Sequence, residues 1–409
     1  MAWSAPLRRL ARRAPRAPAR FISILFCGSD DVSLPTLRAL HAALGAPPPS
    51  PGAAAVTGLG VLCPGPRPVG RGQGTAVLPV PAFARAAGLP CLEVPYGVRS
   101  LSAPPFGGEL SAFLARQRFD LGVVVSFGYL LPSQPLLSAL PLGAINLHPS
   151  ALPRHRGAAP VPHTLLAGDA RTAACVIEVH PTRMDAGAVL AQEEVAVPPG
   201  IGAPALTAQL AALGAAAVLR TVQHLAAARR GARVQDEALV TLAPKLKPEQ
   251  GRVSWAGGGG SSGSVTPQRL LRMARAYEGS IGLHCLVSQR QRSEAAGEAA
   301  AAASQQQPVL PRLKLIELAE VAGEGGAAVA ALLPQGAAPG TLAYEGRSRR
   351  LFLACCSPSS TEQQQQQQHP WVELLKVQLE TKSVVSGGAF ALGRHAKGSG
   401  VTVLDVALV

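Results

Sequence analysis

An asparagine and a histidine two positions apart, Asn146 and His148, have the side-chain types and spacing needed to act on one substrate atom. They lie in a short apolar segment that predicts a β-strand, where side chains i and i+2 share a face. An asparagine amide can stabilise an oxyanion, and a histidine can do the same or carry a proton. The pair therefore indicates polar catalysis at the end of a strand.

A carboxylate that could act on this histidine follows further along the chain. Asp185 comes after an apolar segment at 174–180 and precedes Ala186 and Gly187, a pattern typical of a turn. Such a carboxylate would orient His148 and favour its protonated form. Taken singly, however, a strand-end histidine and a turn aspartate have structural explanations that are at least as common as catalysis.

The segments around these residues predict an α/β fold with a parallel sheet. An apolar run at 21–26 is followed by Gly28 and then by leucines at helical spacing from 34 to 44. This strand–turn–helix order is the opening unit of a doubly wound sheet. A second apolar segment lies at 58–63. Further strands are predicted at 121–126, 144–148 and 174–180, with a short helix at 133–140 and a long helix from 206 to about 230.

The second half of the sequence has a different pattern. Short apolar runs are separated by Gly-, Ser- and Gln-rich segments, as in a small β-barrel or sandwich. We therefore expect a catalytic domain at 21–230, a linker at 231–248 and a C-terminal β-domain at 249–409. The apolar runs lie at 281–287, 313–318, 351–355 and 374–379, and low-complexity insertions are predicted at 257–263, 295–307 and 363–368.

The charge of the chain indicates a polyanionic partner or a basic surface. The formal net charge is +14 and the sequence pI is near 10.2. Residues 1–20 hold six arginines and no acidic residue, a composition typical of a mitochondrial transit peptide. Subtracting six from +14 leaves +8, so the expected mature protein is still basic.

Other features argue against several classes of protein. The seven cysteines have no paired ligand spacing, which disfavours a disulfide framework and a structural zinc site. The sequence contains no run of 18 or more apolar residues, so we expect no membrane span. The segment after the first strand does not fit G-x-G-x-x-G, which disfavours a dinucleotide site. Nothing in the sequence demands an oligomer, and a monomer is expected.

Four segments together resemble the formyltransferase family that uses 10-formyltetrahydrofolate, and within it the mitochondrial members that act on methionyl-tRNA. They are SFGYLLP at 126–132, INLHPSALPRHRGAAP at 145–160, LLAGD at 165–169 and MDAGAVL at 184–190. The family's active site is an Asn-x-His followed by an Asp in a D-x-G turn. The resemblance implies that Asn146, His148 and Asp185 are catalytic, and that the protein works in the mitochondrial matrix.

The resemblance also implies where substrates bind. The formyl donor would be 10-formyltetrahydrofolate, with no metal, and the folate contacts fall on the loop residues Phe127, Gly128, Leu130 and Leu131. For Leu130 and Leu131, a simple core role is an equally common explanation. The segment PGPRPVGRG at 64–72 resembles a basic loop that contacts the tRNA acceptor stem, which assigns tRNA contacts to Arg71 and, in the second loop, to Arg154.

The C-terminal part completes the resemblance. APKLKPEQGRVSW at 243–255 resembles the joining segment, and WVELLKVQLETK at 371–382 resembles the end of the family's C-terminal barrel. The implied architecture is a Rossmann-like formyltransferase domain followed by a smaller, OB-like β-barrel that binds tRNA.

Three hypotheses follow from the sequence. The first is formylation of methionyl-tRNA. The second is the same catalytic half acting on another acceptor, either the amine of a nucleotide sugar or water. The third is a tRNA-binding protein without activity, against which the complete set of Asn146, His148 and Asp185 argues.

Overall fold

A computed structural model describes residues 21–69, 74–76, 78–255, 265–289, 311–321, 332–334, 336–356, 371–393 and 401–408. The chain divides into two compact units, and each unit draws on several stretches of sequence. The first unit comprises the chain up to Gly157 together with Arg171–Val195 and Thr207–Leu242. The second comprises Ala158–Ala170, Ala196–Leu206 and the chain from Ala243 onward.

A seven-stranded sheet forms the centre of the first unit, and its strands alternate with helices. The strands are β1 (Phe21–Gly28), β2 (Ala55–Pro64), β5 (Cys91–Val94), β6 (Leu121–Val125), β7 (Ala144–His148), β8 (Arg171–Glu178) and β9 (Val189–Ala196). A separate small hairpin joins β3 (Arg67–Val69) and β4 (Gly74–Ala76). The helices are α1 (Leu34–Ala42), α2 (Pro79–Ala86), α3 (Phe106–Gln117), α6 (Leu225–Arg230) and most of α5 (Ala203–Gln223).

The order of strands in this sheet is β5-β2-β1-β6-β7-β8-β9. The first five are mutually parallel, and their chain order across the sheet is third, second, first, fourth, fifth. That is the doubly wound order, in which ligands bind at the carboxyl edge where the order reverses, here between β1 and β6. The predicted parallel α/β sheet is confirmed, with β8 added antiparallel to β7.

The sequence explains why the central strands lie where they do. All five residues of β6 are buried, and β1 is buried over its last five residues, as expected for parallel strands covered on both faces. Their side chains join one core cluster with those of α3, which includes Leu25, Phe106 and Leu110. The core of the first unit therefore fixes the carboxyl ends of β1 and β6.

Two predicted helices differ from the structure. The segment 133–140 contains only a single 3-10 turn, Leu137–Ala139, because Pro135 lacks a backbone N–H and keeps the preceding residue out of the helical region. The long helix is interrupted at His224, whose φ of −118° and ψ of 31° are not helical, and α6 follows.

Helix α5 is, by length and composition alone, long and apolar enough to cross a membrane. Half of its most apolar window is buried in the fold, and Leu206, Leu210 and Val218 are core residues. Because an ordinary core helix passes the same test, this helix is weak evidence for a membrane span. The expected absence of membrane contact stays a prediction.

The second unit is built around an antiparallel sheet. Its strands are β10 (Leu283–Gln289), β11 (Arg312–Glu320), β12 (Thr341–Glu345), β13 (Arg350–Ala354), β14 (Trp371–Leu379), β15 (Val385–Ser386) and β16 (Val401–Leu408). The order is β11-β10-β16-β12-β13-β14-β15, and β11 also pairs with β14, which joins six strands into a ring. The helices of this unit are α4 (Pro160–Ala167), α7 (Pro267–Tyr277) and α8 (Gly387–Leu392).

The interior of this second sheet is apolar, with Phe352 and Trp371 packed around Ala343 and Ala354. The predicted β-rich C-terminal part is thus confirmed as an antiparallel sheet separate from the first. The more specific prediction of an OB-like barrel, and the boundaries predicted for the domains and linker, stay predictions.

Candidate active site

Asn146, His148 and Asp185 meet at one carboxylate oxygen. Asn146 Nδ2 lies 3.5 Å from Asp185 Oδ1, and His148 Nδ1 lies 3.6 Å from the same oxygen. Both β7 side chains reach it because positions i and i+2 of the strand share a face. Asp185 Oδ2 instead accepts a 2.9 Å hydrogen bond from the backbone N–H of Gly157. The two oxygens of the carboxylate therefore have different surroundings.

The imidazole of His148 is buried and has a defined tautomer. Its Nε2 lies 2.9 Å from the backbone carbonyl of His155. A carbonyl oxygen only accepts hydrogen bonds, so Nε2 carries a proton and donates. Nδ1 is then the nitrogen that can gain or lose a proton, and it is the one that faces Asp185.

The turn that carries Asp185 has a constrained backbone. Asp185 has a φ of 53°, in the left-handed region that non-glycine residues rarely adopt. Two residues later, a Cβ on Gly187 would collide with the backbone carbonyl of Glu178 at the end of β8, so the turn passes too close to the strand for a side chain. The Gly in the D-x-G pattern is therefore required by packing.

Three residues of this site were missed by sequence reasoning. Gln235 Nε2 donates to the carbonyls of Asp185 and Gly187, both at 2.7 Å. Its Oε1 accepts a 2.9 Å hydrogen bond from Arg156 Nε, and Arg156 also pairs with Glu237 at 3.2 Å. The hydrogen bond from Arg156 lowers the pKa of the Glu237 carboxyl. No periodicity or motif marks Gln235, which lies in the segment predicted to be a linker.

The loop expected to contact folate follows β6, next to the point where the strand order reverses. Phe127 is buried and its ring centroid lies 5.3 Å from that of Tyr129. Gly128 has a φ of 81°, which favours glycine, and Leu131 packs partly against the core. Leu130 is 78% exposed, so the alternative of a core role does not apply to it.

This loop is tied to the end of β1. The Ser126 hydroxyl donates to Asp30 Oδ2 at 2.5 Å, and the Ser29 hydroxyl donates to the backbone carbonyl of Ser126. Asp30 Oδ1 in turn accepts from the backbone N–H groups of Val32 and Ser33. Ser126 itself has a φ of 46°. The polar network thus connects the two strand ends between which the strand order reverses.

The residues expected to contact tRNA are placed only in part. Arg154 is exposed, and its backbone carbonyl accepts from the buried Ser150 hydroxyl at 2.7 Å. Arg71 lies outside the described residues.

The described residues show no metal-binding group, and the thiol of Cys175 is buried. Within the described residues, no group of three or more His, Cys, Asp or Glu side chains could hold a metal ion. Cys175 lies in β8 with its thiol buried, and burial raises its pKa to about 11, as expected for a core residue. The expectation that the reaction uses no metal stays a prediction.

Comparisons with known proteins bear on this site. Residues 56–222 match the family model described as formyl transferase. The chain is 36% identical over 232 residues to methionyl-tRNA formyltransferase of Methylococcus capsulatus, covering 57% of this chain and 68% of that protein. It is 31% identical over 349 residues to the mitochondrial methionyl-tRNA formyltransferase of Rattus norvegicus, covering 85% of this chain and 75% of that protein.

A solved structure gives a weaker likeness. HypX from Aquifex aeolicus, determined in complex with tetrahydrofolic acid, is matched with a TM-score of 0.46 and 13% identity. The match covers 92% of this chain and 48% of HypX, so this chain spans about half the length of that protein.

The resemblance stated from the sequence segments is confirmed at the level of the family, and relatives of bacterial and mitochondrial origin match comparably. The matched family model spans Asn146, His148 and Asp185. Because the rat protein is 31% identical over 75% of its own length, this chain belongs to the methionyl-tRNA formyltransferase family.

Proposed function

We propose that this protein transfers the formyl group of 10-formyltetrahydrofolate to the α-amino group of methionyl-tRNA. The observation that carries the proposal is the convergence of Asn146 and His148 on the Asp185 carboxylate, in a chain of this family. The three side chains lie at the carboxyl edge of a doubly wound sheet, where such folds bind ligands. The product would be formylmethionyl-tRNA for the initiation of translation.

The first step joins the amine to the formyl carbon. The neutral amine attacks the carbon attached to N10 of the folate, a C–N bond forms, and the carbonyl oxygen becomes an oxyanion. The amide of Asn146 donates to that oxygen, and such a donor contributes about 3–4 kcal/mol in other acyl-transfer sites. An amine needs no covalent enzyme intermediate, which agrees with the buried, unreactive thiol of Cys175.

The second step breaks the bond to the folate and moves one proton. The attacking nitrogen loses a proton, the bond between the formyl carbon and N10 breaks, and N10 takes up a proton. His148 Nδ1 is the exchangeable ring nitrogen, and Asp185 Oδ1, 3.6 Å away, can share a proton with it directly or through water. General acid–base catalysis of this kind contributes about 10²- to 10⁴-fold.

The folate is assigned to the loop after β6. Phe127 and Gly128 shape the backbone there, while Leu130 and Leu131 offer apolar surface to the pterin side. Backbone N–H and C=O groups of this loop are the natural partners of the pterin edge, because its main apolar side chain, Phe127, is already buried in the core.

The tRNA is assigned to basic residues and to the C-terminal part. Arg71 and Arg154 would contact the acceptor stem, and the exposure of Arg154 supports this role. We take the antiparallel sheet of the second unit to be an OB-like barrel that binds tRNA, in a domain at 249–409 after a linker at 231–248. The closure of six strands into a ring supports a barrel.

We also assign the protein to the mitochondrial matrix, as a monomer with a transit peptide at residues 1–20. The six arginines in that segment support the assignment, as does the rat mitochondrial relative, which matches 85% of the chain.

The proposed acceptor can be tested directly. The protein lacking residues 1–20 is incubated with 10-formyltetrahydrofolate in three parallel reactions. One reaction contains methionyl-tRNA, one contains a nucleotide sugar amine, and one contains buffer without an acceptor. We expect formylmethionyl-tRNA to form at a rate that depends on protein concentration. Formation of a formylated sugar would show a different acceptor, and release of free formate without formylation would show a hydrolase.

A further inference from the structure

Gln235 holds the turn that presents the Asp185 carboxylate. Its side chain is 4% exposed, and its amide donates to the carbonyl of Asp185 itself and to that of Gly187. Both hydrogens of the carboxamide are thus used on one turn. Because Asp185 has a φ of 53°, the turn is in a conformation that needs support from its surroundings.

Arg156 fixes which way the Gln235 carboxamide points. Its Nε donates to Gln235 Oε1 at 2.9 Å, and a guanidinium has no acceptor, so the oxygen and nitrogen of the amide cannot exchange places. Arg156 is 7% exposed, and its two terminal nitrogens bind the two oxygens of Glu237 at 3.2 Å. Arg183, two residues before Asp185, binds Glu237 at 3.3 Å.

The same arginine belongs to the loop that contacts the other catalytic groups. The adjacent residues on either side of Arg156 supply the His155 carbonyl to His148 and the Gly157 N–H to Asp185. Gln235 and Arg156 therefore connect the backbone around both partners of the His148–Asp185 pair. Gln235 binds the backbone of the turn, and Arg156 binds Gln235 and Glu237, so their effect on the three catalytic side chains passes through the backbone.

We propose that Gln235 is a positioning residue for formyl transfer: its carboxamide, oriented by Arg156, sets the distance between Asp185 and His148. This inference rests on the proposed function and extends that function by one residue, which acts through Asp185. A misplacement of about 1 Å in an active site can cost about 10²-fold in rate, which sets the size of the effect expected.

The test uses the chain lacking residues 1–20 and the substitution Gln235→Met, which keeps the length of the side chain and removes its polar atoms. We expect kcat for methionyl-tRNA formylation to fall about 10- to 100-fold. KM for the folate and Kd for tRNA should stay within twofold. Gln117→Met, at the end of α3, is the matched control and should match the parent in all three quantities.

A second arm separates positioning from a general structural role. In an Asp185→Ala background, Gln235→Met should cause no further loss of kcat, because the group it positions is gone. An unchanged kcat in Gln235→Met alone, or the same fold-loss in both backgrounds, would overturn the proposal. If Gln235→Met does not fold, Gln235→Glu keeps the shape and the bond from Arg156 but removes both donors, and the same loss is expected.

A readout that needs no activity keeps this inference separate from the proposed function. Hydrogen–deuterium exchange should become faster in Gln235→Met at the Gly157 amide and at residues 185–188, with β1 and β6 unchanged. Unchanged exchange at these positions would contradict the role of Gln235 even if the parent protein formylated nothing. A parent that is inactive with methionyl-tRNA, but whose exchange responds as expected, would instead contradict the proposed acceptor.

Discussion

The two oxygens of the Asp185 carboxylate have different hydrogen-bond partners. Oδ2 is held by the Gly157 N–H at 2.9 Å, whereas Oδ1 has only the longer contacts to Asn146 and His148, at 3.5 and 3.6 Å. A carboxylate oxygen with capacity left for a stronger hydrogen bond can accept a proton or a bridging water during the reaction. Oδ1 is therefore the oxygen that we expect to exchange protons with His148.

This assignment predicts the effect of replacing Asp185 by asparagine. Asp185→Asn keeps the shape and the bond from Gly157, but removes the negative charge that faces the imidazole. We expect kcat to fall about 10²- to 10⁴-fold, the range of general acid–base catalysis, with the melting temperature close to that of the parent. Steady-state kinetics with a thermal melt measure both. A kcat within threefold of the parent would show that Asp185 does not take part.

For individual residues, the sequence was informative only where neighbours in the chain follow a regular pattern, such as the alternation of side chains along a strand. Asn146 and His148 could be paired because strand periodicity places i and i+2 on one face. The role of Gln235 could not be predicted, because its hydrogen bond to the Asp185 carbonyl joins residues 50 positions apart and no local sequence pattern marks it. Arg156 was visible as a basic residue, but nothing in the sequence shows that it turns inward to Gln235 rather than outward to a polyanion.

At the scale of elements, the carboxyl ends of β1 and β6 meet where the strand order reverses, the position at which doubly wound sheets bind ligands. Ser126 and Asp30 connect them by a hydrogen bond of 2.5 Å, at the point where the strand order reverses. If the loop after β6 receives the folate, this bond stabilises the binding-competent loop rather than the chemical step.

The prediction at this scale concerns Ser126→Ala. A net hydrogen bond is worth about 1 kcal/mol, so we expect KM for 10-formyltetrahydrofolate to rise roughly fivefold while kcat changes less than twofold. Ser138→Ala, which removes a hydroxyl bonded to Gln134 nearby in the chain, is the control and should leave KM unaltered. A lowered kcat with an unchanged KM would contradict the assignment of this loop to folate.

The elements were predicted best where they are buried and continuous. The strands at 121–125 and 144–148 were expected close to their observed limits, since a parallel strand covered on both faces is apolar throughout. The helix predicted at 133–140 was wrong, because Pro135 outweighs the leucine pattern. Strands β12 and β16 were missed. β12 forms a hairpin with the next strand, β13, which was predicted, whereas β16 pairs with β10 and β12, both distant in sequence.

At the scale of the whole molecule, the chain passes repeatedly between its two units. Residues 158–170 and 196–206 belong to the second unit, although they lie in sequence between segments of the first. Domain boundaries are predicted from sequence where the amino-acid composition changes. The assignment of these two short segments to the second unit could therefore not be predicted. The family assignment did follow from the sequence, because the segments that carry it lie together between 126 and 190.

The measurement that tests the central claim most directly compares turnover with tRNA binding in Asn146→Ala and His148→Ala, using the chain lacking residues 1–20. His41→Ala, which removes a half-buried ring packed edge-on against Phe83, is the control. We predict that each site variant loses about 10²-fold or more in kcat for formylmethionyl-tRNA formation, while Kd for methionyl-tRNA stays within twofold. A kcat within threefold of the parent, or a loss explained entirely by weaker tRNA binding, would contradict the account.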